Sequence, residues 1–156
     1  KTKGGSSLKK NLLMLLVFCI VLEIAGCKSE KTSKETKWEE NSPVFTNEHG
    51  EMFGKEGSIG IIGSKTITED GQKWMWHFWG NEDISYKEWE VKAYKQGKEE
   101  AIDPIEFSDE KLVPIDDEIN GHARSSVLFP SSGLWKLKVY IGEEYFNEII
   151  VDITQE

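Results

Sequence analysis

Seven short runs of alternating apolar and polar residues, separated by Gly, Asn, Asp and Pro and without a long amphipathic helix among them, predict an all-β fold. Successive side chains of a strand point to opposite faces, so each run describes a segment with one buried and one wet side. Seven such segments at regular spacing pack as two facing sheets, an antiparallel β-sandwich of immunoglobulin-like type with about seven strands. The chain has two cysteines, at 19 and 27, both outside these runs, so the inter-sheet disulfide of antibody domains is excluded. No repeat with a period of 20 to 50 residues is visible, which argues against a solenoid or a propeller.

In chain order, strands are expected at about 57–63, 72–79, 87–95, 99–105, 122–129, 134–141 and 145–153. Gly57, Gly60 and Gly63 in the first mark bulges or tight sheet packing, because neither a Gly-Lys-Ser/Thr nor a helix follows to make a phosphate loop. The second, Gln72 to Trp79, is apolar on both sides: Trp74, Trp76 and Phe78 point one way, Met75, His77 and Trp79 the other. In the third, Trp89, Val91 and Ala93 oppose Glu90, Lys92 and Tyr94. A Gln96-Gly97-Lys98 turn links it to the fourth. The last two form a hairpin through Gly142-Glu143-Glu144, with Trp135, Leu137, Val139 and Ile141 on one face and Ile149, Val151 and Ile153 on the matching face.

The amino-terminal 26 residues are of a different kind. Lys1, Lys3, Lys9 and Lys10 precede an uninterrupted apolar run at 12–22, followed by the small residues Ala25 and Gly26. A membrane span needs about 20 apolar residues, so this run of 11 is too short and reads as a secretory signal peptide. Ile24-Ala25-Gly26-Cys27 resembles the lipobox of bacterial lipoproteins, with Glu23 an unusual acid just upstream. That resemblance implies diacylglycerylation of the Cys27 sulfur and cleavage between Gly26 and Cys27, leaving a protein tethered at the extracytoplasmic face of the cell membrane. Residues 27–41 then read as the lipidated cysteine and a solvated linker, too poor in apolar side chains to offset the entropy of ordering, with Trp38 the exception. As a flexible coil, residues 28–41 reach about 20 Å. The domain proper is 42–156.

Charge and cysteine content narrow the function. The whole chain carries −9, but without the basic leader the remainder holds 15 bases against 27 acids, which argues against nucleic acid as a partner. With Cys19 in the leader and Cys27 acylated, the domain has no thiol for a disulfide, a metal thiolate or a nucleophile. Gly57-Ser58-Ile59-Gly60 lacks the spacing of a nucleophile elbow, and no other catalytic constellation is present, so the reading is a non-enzyme without cofactor. His49, His77 and His122 are far apart in sequence and none has a second His at metal-ligand spacing, so no metal is assigned. The acidic turn 116–121 and Asn81-Glu82-Asp83 carry oxygen ligands for a weak calcium site but lack the EF-hand alternation, and read as turn chemistry.

If the strands carrying them pair, His77, Trp79 and Tyr94 form an aromatic platform suited to a sugar or peptide. The competing reading covers that face with a loop or with 42–56, making 72–79 a two-sided core strand. The segment from Pro130 to Gly142 and the strand to Ile153 look like the closing hairpin of bacterial immunoglobulin-like modules. With Gly54-Lys-Glu-Gly57 and Trp74-Met-Trp-His-Phe-Trp-Gly80, they are similar to a family of uncharacterised lipoproteins of Gram-positive bacteria. That resemblance implies a fold over most of 45–153 and brings no functional residues. The expected role is a non-catalytic module meeting a protein or an envelope polysaccharide. The alternatives are a carbohydrate or peptidoglycan-fragment binder, and a protease inhibitor presenting loops 106–121 or 130–133.

Overall fold

A computed structural model describes residues 38, 41–80 and 84–156. Among them eleven strands, and no helix, build a two-sheet sandwich. They are β1 (Val44–Asn47), β2 (Gly50–Lys55), β3 (Ile59–Ile62), β4 (Thr66–Ile67), β5 (Gln72–Trp79), β6 (Trp89–Lys95), β7 (Ala101–Ile102), β8 (Ile105–Ser108), β9 (Ile119–Val127), β10 (Gly133–Ile141) and β11 (Glu144–Gln155). The first sheet has the order β1-β2-β3-β5-β9-β8 and the second β4-β11-β10-β6-β7. All pairings are antiparallel except that of β4 with β11. Each of the seven expected strands has a counterpart, and β1, β2, β4 and β8 are additional. Their sequences hide them for different reasons: β2 buries Met52 and Phe53 in succession, β8 exposes Phe107, and β4 is only two residues long.

Alternation on β5 sets the core. Trp74, Trp76 and Phe78 face inward beside Ile59 and Ile61, against Val91, Ala93, Leu137, Val139, Ile149, Val151 and Ile153 of the second sheet. Trp76 is fully buried, its ring 5.6 Å from Trp74, 6.2 Å from Phe78 and 5.3 Å from Trp89. A buried indole N–H needs an acceptor, and each inward Trp has one. Trp74 donates to the Ser64 carbonyl at 2.7 Å, Trp76 to Ser125 Oγ at 2.8 Å, and Trp135 to the Ser131 carbonyl at 3.1 Å.

The turns follow local chemistry. Ile141 pairs with Glu144, leaving Gly142 and Glu143 as a two-residue loop with φ of +58° and +68°. Positive φ at both positions is the signature of a type I′ turn, whose twist matches that of the flanking strands. The chain enters the sandwich along the open edge of β11. Ser42 donates its N–H to the Ile150 carbonyl at 2.8 Å, and the Ile150 N–H donates to Ser42 Oγ at 2.9 Å. The Trp38 ring lies 4.9 Å from Lys136 Nζ, which is 3.8 Å from the Glu148 carboxylate, and both charged residues are buried. Trp38 therefore docks on the domain, adding a cation–π contact to an ion pair withdrawn from water.

Candidate functional site on the outer face of the first sheet

The outward residues of β5 lie beside those of β3 and β9. Register places His77 directly opposite Gly60 on one side and His122 on the other, and Met75 opposite Ile62 and Arg124. Gly60 leaves a gap where a side chain would stand. A Cβ there would come within 2.6 Å of Met52 Sδ, 2.9 Å of the Phe45 ring and 3.0 Å of Trp79, so these three side chains close over it. Phe45 and Trp79 meet edge to face at 6.3 Å. The segment 42–56 thus covers this end of the face, and β5 is a two-sided core strand there.

His49 belongs to the turn between β1 and β2 and folds back over the sheet. Its ring stacks on His77 at 6.1 Å, and His77 in turn lies 5.2 Å from His122. All three histidines of the chain meet on this face. Asp116, in the connection from β8 to β9, meets His49 from the other side, with Oδ2 at 3.1 Å from Nε2. Its second oxygen accepts from the N–H groups of Glu118 at 2.8 Å and Ile119 at 2.7 Å, bonds that hold its carboxyl below the usual range, with His49 adding to them. The acidic turn is therefore in part the turn chemistry its composition suggests. Glu48 Oε1 stands 3.8 Å from His49 Nε2.

His77 is 2% exposed, and its Nδ1 has no hydrogen-bond partner. Burial is the main reason its pKa is lowered to about 4, and repulsion from His122 and His49 adds to it, while backbone groups of Gly60 and Met75 pull the other way. Burial also lowers His122, which Asp109 partly offsets. A folded-state pKa below the unfolded 6.5 means that the contribution is complete above pH 6.5 and is lost as pH falls toward 4, where only the unfolded chain takes up the proton. At about 1.4 kcal/mol per unit, the loss across that window is up to about 3 kcal/mol. His49, His122, Asp109, Arg124 and Asp116 surround the ring. The two aspartates, already held low, lose their share only in stronger acid. Urea unfolding at pH 7 and 4.5 in metal-free buffer is expected to show a smaller drop for His77→Gln than for the parent; an equal drop would assign the acid sensitivity elsewhere.

Beyond Met75 the same face opens into a groove of about 560 Å³ lined by Ile62, Lys73, Met75, Phe107 and Arg124. Phe107 is 78% and Met75 38% exposed. Arg124 is held by Asp109 through Nε at 3.1 Å and Nη2 at 3.2 Å, so the guanidinium stands as a fixed polar wall beside an apolar floor. A second crevice of about 410 Å³ lies at the end of the sandwich, lined by Gly57, Ser58, Trp79, Tyr145 and Asn147. There Asn147 donates to Ser58 Oγ at 2.6 Å, and burial with Glu148 nearby raises the Tyr145 pKa to about 12.

The sequence-derived residues fare unevenly. Tyr94 does not join His77 and Trp79, because β5 and β6 lie in different sheets. It stands on the outer face of the second sheet, with Lys138 Nζ 5.3 Å from its ring. His77 is buried, so the exposed platform of three does not form, while half-buried Trp79 borders the crevice with Tyr145 instead. The span 106–121 is not an open loop: β8 pairs with β9, Lys111 bridges to Glu88, and Val113 to His122. Gly26, Cys27 and residues 81–83 lie outside the described residues. The groove went unseen because Phe107 and Arg124 come from β8 and β9 and nothing in their spacing joins them to Met75.

No curated protein matches the chain. Its fold is similar to the X-ray crystal structure of a putative lipoprotein from Bacillus anthracis, with a TM-score of 0.58 and 26% identity over 77% of this chain and 88% of that one. Residues 29–151 match the model of a domain of unknown function, and the chain therefore belongs to the DUF4871 family.

Proposed function

We propose that the chain is a lipoprotein tethered at the extracytoplasmic face of the cell membrane, with a leader at 1–26, acylated Cys27 and linker through 41, and an immunoglobulin-like domain at 42–156 that works as a non-catalytic binding module. The groove between Met75, Phe107 and Arg124 carries the binding part of this reading. Large apolar side chains left in water beside a fixed charge pair are the usual mark of a surface that meets a partner. The basic, apolar, small-residue leader and the likeness to the Bacillus anthracis protein support the tether. Mature net acidity gives side chains no hold on anionic lipid, which leaves anchoring to the acyl chains.

The test has two arms. Cys27→Ala is expected to abolish incorporation of labelled fatty acid; label retained in that variant would remove the lipidation reading. In crosslinking to native envelope material, Phe107→Ser is expected to lose at least half of the captured product while Tyr94→Ala, on the other sheet, loses none. Equal capture by both variants would sink the groove. A second reading, a carbohydrate or peptidoglycan-fragment binder, rests on the crevice, where Trp79 and Tyr145 stand beside Asn147 and Ser58. It predicts retention on purified peptidoglycan that Tyr145→Ala abolishes.

A further inference from the structure

The clasp over His77 has a chemistry that the binding reading does not use. His49, Asp116 and Glu48 each present one donor atom, and these three atoms lie within 4.8 Å of one another. They come from two segments that meet only in the folded chain: the turn between β1 and β2, and the connection from β8 to β9. Both segments are held by bonds of their own. The His49 N–H donates to Asn47 Oδ1 at 2.9 Å, and Asp116 Oδ1 is tied to two backbone N–H groups, leaving Oδ2 presented toward His49. Fixing a ligand through its second oxygen is how outer-shell bonds orient metal carboxylates.

The support beneath the three donors is His77, which stacks on His49. Its Nδ1 is buried with no partner, a state that costs about 1–3 kcal/mol in a folded protein. Its ring lies under that of His49 at 6.1 Å and beside that of His122 at 5.2 Å. A face that gathers every histidine of the chain, two carboxylates and one orphaned imidazole nitrogen has the composition of a nitrogen–oxygen metal centre. We propose that Glu48, His49 and Asp116 bind a divalent transition-metal ion of the zinc class, with the buried His77 ring packed beneath His49 as a support and not as a donor. Imidazole among the donors separates this ion from calcium and magnesium, which take oxygen ligands. Solvent reaches the ion from the Glu48 side, where the carboxylate is 80% exposed.

The experiment is titration of the tag-free full chain, in detergent, with Co²⁺ and then Zn²⁺, read by the visible d–d spectrum of cobalt and by isothermal calorimetry. One equivalent is expected to bind, with zinc displacing cobalt and a hundredfold excess of Ca²⁺ displacing neither. His49→Ala is expected to weaken binding at least tenfold and Asp116→Asn to weaken it severalfold. His77→Gln, which removes no donor, is expected to retain one equivalent of cobalt. Thermal melts without metal show whether each variant folds, and His49 sits in a surface turn where its replacement leaves the core intact. The proposal is overturned by no binding below about 1 mM, by unchanged affinity in folded His49→Ala, or by ready displacement with calcium. These outcomes are independent of the groove, since neither Phe107 nor Met75 is among the donors.

Discussion

Trp76→Ala is expected to destabilise the domain by about 3–5 kcal/mol, the range for deleting a buried aromatic whose site does not collapse. The site here has little freedom to do so. Trp74, Phe78 and Trp89 contact the ring from three directions, two of them along the same strand, whose register with β3 and β9 fixes their spacing. The indole N–H also satisfies Ser125 Oγ, which is buried and would lose its donor. Against a total of about 5–15 kcal/mol for a domain of this size, the loss takes about a fifth of the stability at the least and nearly all of it at the most. Thermal melting checks it, with a fall in Tm on the order of 10–20 °C. Trp76→Phe keeps most of the contact area and is expected to cost roughly half as much. A parent-like Tm for the alanine variant would mean that the aromatic layer is not the core.

The second large effect is at a glycine. Gly54 pairs with Gly60 across β2 and β3 at φ +144°, and a Cβ placed on it would overlap the Ile59 carbonyl oxygen. That obstacle is backbone and hydrogen-bonded, so it has no rotamer to change. Gly54→Ala adds the cost of an unfavourable φ, about 1–3 kcal/mol, to the cost of separating two paired strands, and about 3 kcal/mol or more in all is expected. Gly57→Ala is the internal control. Its φ is +71°, but nothing lies within 4 Å of the added carbon, so only the conformational cost remains, about 1–2 kcal/mol. Urea unfolding of the two variants separates the effects: a similar loss at both positions would show that backbone angle alone governs, and that the close approach of β2 to β3 contributes nothing.

These two positions illustrate what the chain discloses before it folds. Alternation in 134–141 and 145–153 is enough to place β10 and β11 and their hairpin, because Trp135, Leu137, Val139 and Ile141 make one dry face and Ile149, Val151 and Ile153 the other. It also split β5 into its two sets, but parity alone cannot say which set is covered. That depended on β5 and β6 joining different sheets, a long-range choice that separated Tyr94 from His77 and Trp79. The histidine cluster was illegible for the same reason. His49, His77 and His122 meet through the β5–β9 register and a hairpin that folds back, neither of which has a local sequence signal. Of the two readings of the glycines in 57–63, a bulge or tight sheet packing, Gly60 is the second, with three side chains closing over it.

Mechanical connection adds a last consequence. The stretch leading into β1 is stitched to the second sheet, Trp38 over Lys136 and Ser42 at the edge of β11 against Ile150, and Lys136 and Ile150 are cross-strand neighbours. Tension applied through that segment therefore enters at one small spot on β10 and β11, where it must peel two hydrogen bonds and an aromatic contact before any strand of the opposite sheet is loaded. The groove and the histidine clasp occupy that opposite sheet's far side. Load entering there would be absorbed by a sacrificial buckle at the rear while the front surface keeps its shape.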